Sequence, residues 1–367
     1  MLKILDRHVL REFGLYLLLG LCAFTGIYLI VDLFEKIDTF VDYHAATRAI
    51  LSYYVLSLPV IALQVLPIAM LLGAVLAFGQ MRRFNEISAM QSCGLSPLRI
   101  TAPVLVLGLV VSAVSFIVSE QVVPGAYRQR EEMLEVTIKK KRPADSLGST
   151  DVYHMGRGGR VYTAKRFDAV KRELTDLSIE QLRTDGGRTR LWRRADAVLG
   201  HWLPDGFVEL EQGRLRVFSG ADGENETMAS FRRYGDSRFV EQPDEFVNVR
   251  TDPFLMSRRE LKNYIGRIGE GGARVSKHLV NYHLRAAFPM ANFIMVLLGT
   301  CLSLRIIRGT LALGFGISLS LGFAYYGCLR VGQALGYSEV LSPLLAAWLG
   351  NLIFGLLGAI LFWRSNR

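Results

Sequence analysis

Residues 81–100, MRRFNEISAMQSCGLSPLRI, lie between two of the most apolar runs in the chain and carry the residue types best suited to gripping a partner. Phe84, Ile87 and Met90 recur at helical spacing and share an arc of about 120°, while Arg82 and Glu86 stand one turn apart on another side. Gly94 suits the position just past a helix end, and Ser96 with Pro97 supplies an N-cap and a first-turn proline for the next helix. The spacing therefore predicts a short helix over 82–93 with its own start and stop. Its apolar stripe would cost free energy in water, so the helix lies among lipid headgroups or docks into a groove on a partner protein. Glu86, at its centre, would be repelled by an anionic membrane surface and favours the groove. Arg82, Arg83, Phe84, Glu86, Ile87 and Met90 are thus the candidate docking residues.

Chemistry inside the chain is unsupported. There is no G-x-x-x-x-G-K-[ST] phosphate cradle, no H-E-x-x-H zinc motif and no G-x-S-x-G elbow, and the clusters GRGGR and LGFGIS lack a phosphate-binding lysine. Cys22, Cys93, Cys301 and Cys328 have neither metal-ligand nor disulfide spacing and read as small hydrophobes in helices. The apolar runs hold no paired carboxylates, histidine cluster or nucleophile constellation. No enzyme activity, cofactor or metal is expected of this polypeptide, so energy for any work must enter from another subunit.

The elements that position these residues follow from hydropathy. The 367 residues are 51% hydrophobic and 21% charged, too apolar for an ordinary soluble protein of this length and too charged to be membrane throughout. Six runs are long enough to cross a bilayer: Phe13 to Phe34, Ile50 to Gln80, Ile100 to Val123, Leu279 to Leu304, Leu311 to Leu335 and Leu341 to Trp363. The first is too long for a signal peptide and lacks a small-residue cleavage site. Pro59 and Pro67 should kink the second. Lys3, Arg7 and Arg11, then Arg82, Arg83 and Arg99, then Arg305 and Arg308, then Arg364 and Arg367 all fall on one side, which places both termini and the 81–100 stretch in the cytoplasm. Arginines that flank spans also explain the net charge of +10 without nucleic acid.

Between the third and fourth spans, residues 124–277 change texture. GRVYTAKRF, LTDLSIEQLRT, TRLWRRADAVL and GFVELEQGRLRVF alternate with period two and are separated by TDGGR, LPDG and GADGEN, as antiparallel strands are. A sandwich, jelly roll or partly open barrel is expected on the far side of the membrane, with no cysteine to staple it. Helices should frame it, AYRQREEMLEVTIKKK before, and SRRELKNYIGRI after, where Ser257 and Glu260 form a capping box. The fold class is a polytopic α-helical membrane protein with a 3+3 arrangement: residues 1–123 carry helices one to three with the 82–93 segment, 124–277 the all-β domain, and 278–367 helices four to six.

LDRHVLREF at the start, IVDLFEKID closing the first span, EISAMQSCGLSPLRI in the 81–100 stretch and YHLRAAFPMANFIMVLLG opening the fourth span resemble, in order and over essentially the whole chain, the LptF/LptG (YjgP/YjgQ) permeases of lipopolysaccharide export. The first two pieces are closer to LptG. The resemblance implies a heterodimer of LptF and LptG in the Gram-negative inner membrane, a cytoplasmic LptB ATPase dimer that binds ATP and magnesium, the partner LptC, a periplasmic jelly roll, and lipopolysaccharide as cargo. It makes 82–93 the coupling helix entering a groove of LptB, with Glu86 at the family's acidic position. It matches Lys36 to a substrate-binding lysine, while a second such lysine falls near Leu29 and is missing. Arg128 and Arg130 stand near the family's arginines after span three, and His283, Leu284, Arg285 keeps the charge of a fourth-span motif but not its geometry. A lateral gate between spans one and five is also implied.

The cargo's physics sets the rest. Burial is worth ~0.8 kcal/mol per methylene, so drawing one acyl chain of about fourteen carbons through water costs on the order of 10 kcal/mol. The route must be apolar throughout, with cations at its outer rim for phosphates: Lys36, Arg128, Arg130, Arg285 and Arg330 are the candidates, some of them serving only as helix-end anchors. Arg330 sits in an apolar span, where a charge costs ~3 kcal/mol and should face a cavity or an interface. A membrane-anchored scaffold whose β domain binds envelope partners without transport would share this layout; association with an ATPase separates the two.

Overall fold

The computed structural model describes residues 4–139, 149–156, 159–168, 171–185, 188–203, 208–219, 225–235, 241–246, 256–270, 275–304 and 311–365. The chain divides into two units, Met1–Arg130 with Ser276–Arg367, and Glu131–Val275.

The first unit is helical. α1 spans Ile4–Asp42, α2 Thr47–Arg83, α3 Glu86–Ser92, α4 Pro97–Gln121, and α5 begins at Val123 and ends at Glu132. Among the described residues, five helices are long and apolar enough to cross a membrane: α1, α2, α4, Ser276–Ser303 and Pro343–Arg364. The last two belong to α8 (Ser276–Ser303) and α10 (Pro343–Ser365), and the remaining predicted span is the helix α9, Leu311–Tyr337. Lys3, Arg305, Arg308 and Arg367, which enter the orientation argument, lie outside the described residues. α2 is the hub: α1, α8 and α9 all pack on it, and its segment Ala69–Phe78 is buried without interruption. A helix apolar all round, with no amphipathic stripe, must be surrounded.

Small residues let these backbones approach. A Cβ on Gly73 would stand 3.1 Å from the Leu17 backbone, and one on Gly299 would stand 2.7 Å from the Ala74 Cβ and 2.9 Å from the Leu71 carbonyl oxygen. Gly299→Val therefore has no room between α8 and α2, and the overpacking should cost about 1–3 kcal/mol, read as a lowered thermal midpoint of the detergent-solubilised protein. Polar contacts fix the register. Asn292 Nδ2 donates to Ser115 Oγ at 3.0 Å, Tyr325 Oη donates to Asn351 Oδ1 at 2.9 Å, and Asn351 Nδ2 donates to the Ala287 carbonyl at 2.6 Å.

The second unit holds one six-stranded antiparallel sheet: β1 Ser149–Met155, β2 Arg160–Asp168, β3 Glu173–Asp185, β4 Arg188–Trp202, β5 Val208–Ser219 and β6 Asn225–Gly235. Neighbours in space are neighbours in sequence. This is a meander, and among the described residues no strand crosses over as a jelly roll requires. The turn segments 186–187, 204–207 and 220–224 lie outside the described residues. The framing helices form: α5 passes into a π-helical stretch Met133–Ile138, and α7, Arg258–Glu270, starts with the expected capping box, Ser257 N–H donating to Glu260 Oε2 at 2.7 Å and Glu260 N–H to Ser257 Oγ at 3.3 Å.

The sheet is creased. Pairing skips Lys165, Asp176, Val198, Gln212 and Arg232, which fall at one level across β2 to β6. Asp176 and Gln212 there have φ of 49° and 51°. The inward-facing parity changes across this line: Tyr162, Ala164, Leu177, Ile179, Ala195 and Ala197 face the core on one side, and Phe167, Leu174, Val208 and Leu210 on the other. A left-handed residue in each of two strands bends the sheet as a bulge does, so one sheet curls around its own core. The short helix α6, Pro243–Phe246, closes it by inserting Phe246 among His154, Tyr162, Phe167 and Trp202. Beside it, Glu241 accepts from Tyr162 Oη and pairs with Arg160 at 3.2 Å, while its main-chain carbonyl accepts from Trp202 Nε1 at 2.7 Å.

Candidate functional site

At one end of α1 and α2 lies the 81–100 stretch. It is not one helix over 82–93. α2 continues through Arg82 and Arg83, Phe84 ends it, Asn85 turns left-handed at φ 59°, and only Glu86–Ser92 forms α3. The stripe expected from periodicity is split accordingly. Ile87 is 2% exposed and Met90 partly buried, both packed inward against Val9, Phe13, Phe78, Met81 and Ile100 of the same unit. Phe84, across the break, is 62% exposed, and Arg83 is exposed beside a half-buried Arg82. Spacing alone puts the three apolar residues in one partner-facing row, because it does not show the turn at Asn85. The face actually left outward combines Phe84, Arg83 and half-exposed Glu86.

The end signals form as the residue types dictate. Leu95 N–H donates to the Met90 carbonyl and Gly94 N–H to the Gln91 carbonyl, with Gly94 at φ 82°, the paired bonds of a Schellman ending. Ser96 Oγ then accepts from Arg99 N–H at 3.3 Å, and Pro97 opens α4. Two side chains from the start of α1 reach this segment: His8 Nε2 lies 2.9 Å from Glu86 Oε2, and Asp6 pairs with Arg99 at 2.8 Å.

At the far end of α1, Lys36 and Arg130 meet. Lys36 pairs with Asp32 one turn before it, and its ammonium lies 5.2 Å from the centre of the Tyr53 ring. The Arg130 guanidinium lies 5.7 Å from the same ring and 3.9 Å from that of Tyr127. Tyr53 is itself buried, held edge-on by Phe40 and Tyr54. Two cations on one aromatic post offer a preorganised place for an anion. The aromatic members went unread in the sequence; the Tyr53–Tyr54 pair opening an apolar run was their only signal. The other candidates are placed separately: Arg128 exposed on α5, Arg285 half-buried on α8, and Arg330 exposed on α9, donating to Gln333 Oε1 at 3.2 Å.

Between these ends the surface is apolar. An open groove along α9 is lined by Leu313, Gly316, Ile317, Ser320, Leu321 and Ala324, and Phe24 of α1 stacks on Phe315 of α9 at 6.3 Å between ring centres. In the sheet, His201, Glu209 and Glu211 bring a ring nitrogen and two carboxylates within 4.8 Å of one another, but each already has an ion-pair partner, His201 with Glu209 at 3.1 Å and Glu211 with Arg233 at 3.3 Å. Cross-strand charge pairing explains their proximity.

These features sit in a chain whose residues 7–364 match the family of the lipopolysaccharide export system permease LptF/LptG, and the chain belongs to that family. The family takes in both LptF and LptG, and its members are transport permeases. With its apolar helices, the chain is a multi-pass inner-membrane protein. No curated protein sequence matches it.

Proposed function

We propose that this chain is one half of the membrane conduit that lifts lipopolysaccharide out of the inner membrane, moved by ATP hydrolysis in a separate LptB subunit and paired with the paralogous permease. The observation that carries the reading is the permease-family match running from residue 7 to residue 364, through both the helical unit and the inserted sheet. α9 is the sixth span, both termini and α3 are cytoplasmic, and the sheet is periplasmic, where its curl passes cargo onward to a bridge that includes LptC. Arg83, Phe84 and Glu86 enter the ATPase groove. Lys36 and Arg130 bind phosphates of the cargo's headgroup, acyl chains lie along the groove of α9, and α1 and α9 part at the Phe24–Phe315 stack to admit them. Arg330, exposed on an apolar helix, faces the partner permease or the cavity between the two, where its charge is tolerated.

The experiment is reconstitution of the chain with LptB and its paralogue in vesicles containing lipopolysaccharide, following transfer to a soluble acceptor. Transfer should require ATP; transfer at the same rate without ATP, or none with it, refutes the reading, and the second result with no ATPase bound would favour a scaffold. In the same system, Lys36→Ala with Arg130→Ala should lower lipopolysaccharide retained by the purified complex by roughly tenfold or more, since hydrogen bonds to charged groups are worth about 1.5–3 kcal/mol each. Lys36→Ala with Arg128→Ala should fall less, because Arg128 is exposed and outside the Tyr53 cluster.

A further inference from the structure

The N-terminal LDRHVLREF segment has so far been given no task, and the structure ties it to the coupling segment twice. Asp6, in the first turn of α1 and only 6% exposed, faces Arg99 of α4, with Nη1 2.8 Å from Oδ1 and Nη2 donating to Oδ2 at 3.0 Å. His8, half a turn on, lies 2.9 Å from Glu86 at the head of α3. The two pairs bracket α3, one at its first residue and one after the Gly94 turn. We propose that Asp6–Arg99 is a latch that passes movement of the coupling segment to α1, and hence to Lys36 and Phe24 farther along the same helix. The proposal rests on the transport reading above and adds positioning residues to it.

Three observations carry it. First, Arg99 stands in the first turn of α4, where the helix dipole opposes a cation, whereas Asp6 stands in the first turn of α1, where the dipole favours an anion. The guanidinium is therefore placed for its partner, not for its own helix. Second, α3 is bounded by left-handed residues at both ends, Asn85 and Gly94. A rigid seven-residue piece between two turns swings as a body, and a link from its flanks to another helix determines what swings with it. Third, Ile87 and Met90 pack in the same cluster as Val9 and Phe13 of α1, so the ion pairs are backed by apolar contact that transmits a push as well as a pull.

Glu86 has two claimants in this arrangement. Unengaged, its carboxylate is held by His8; engaged, it serves the ATPase groove. Asp6 and Arg99 are not among the residues assigned to that groove, which is why the latch function falls to this pair and not to His8–Glu86.

The test uses the full complex with LptB and the paralogous permease, comparing Asp6→Asn, Arg99→Gln and the exchanged double variant Asp6→Arg with Arg99→Asp. Each single variant should still purify with LptB and hydrolyse ATP, while lipopolysaccharide delivered per ATP falls by about tenfold, the scale of an ordinary coupling between sites. The exchanged pair should recover most of the loss. Normal delivery per ATP in both single variants overturns the latch, as does a loss that exchange leaves unrepaired, which would give the residues separate tasks. A wild-type complex that binds no ATPase or delivers nothing with ATP fails the transport reading instead.

Discussion

Phe84→Ala should leave the protein as stable as the wild type in detergent and inserted in the membrane, yet cut ATP-driven delivery of lipopolysaccharide by roughly 30-fold or more. The magnitude follows from the position: a large aromatic side chain buried at the centre of an interface is worth about 2–4 kcal/mol when truncated, and 62% of Phe84 is exposed in the lone chain, so its removal takes nothing from the fold. Glu86→Ala should act in the same direction, with ATP still hydrolysed by the partner. Ile87→Ala gives the contrast. With 2% of that side chain exposed and its neighbours in the unit's own core, it should cost about 2–5 kcal/mol of stability, visible in a melting curve before any transport is measured. If Phe84→Ala destabilised the chain and Ile87→Ala did not, the assignment of the outward face would be reversed. Delivery and thermal midpoint measured on the same preparations decide it.

Glu241→Ala should be severely damaging to the second unit. The Glu241 carboxylate balances the Arg160 guanidinium and accepts from Tyr162, and all three side chains are buried. Its loss removes the carboxylate that pairs with a buried guanidinium, and breaking a buried pair from one side costs about 3–5 kcal/mol. Arg160→Met with Glu241→Leu should be far milder, because an apolar pair of similar bulk leaves no charge unbalanced. Thermal unfolding of the full chain, followed through fluorescence in a variant that keeps Trp202 as its one tryptophan, separates the two outcomes; equal loss in both would mean that shape, not charge, sets the effect.

Five of the six expected spans were legible as helices apolar enough to cross a membrane because a run of apolar residues is a property of sequence alone, and the ends were legible wherever one residue type has one conformational use, as with Ser96–Pro97, Gly94 and the Ser257–Glu260 box. What periodicity could not show was interruption. Phe84, Ile87 and Met90 share an arc only if the helix is continuous, and Asn85, left-handed at φ 59°, breaks it. The same blindness affected the sheet. Alternation located β2 to β5, but the two outermost strands, β1 and β6, were not singled out, and the exchange of inner and outer faces at Asp176 and Gln212 carries no glycine to announce it. Among the site residues, the position of Lys36 was inferred from resemblance, whereas its meeting with Arg130 over Tyr53 joins three helices and is invisible to any local pattern.

The ring of Phe24 on that of Phe315 has an energetic corollary. α1 and α9 each rest on α2, and Phe24 on Phe315 is a ring contact that joins them directly. Such pairs contribute about 0.5–1.5 kcal/mol beyond the area they cover, a few times thermal energy at most. Under the transport reading proposed above, the ring contact itself therefore adds little to the cost of parting α1 from α9, and a greasy molecule wedged there would cover the apolar area that parting exposes.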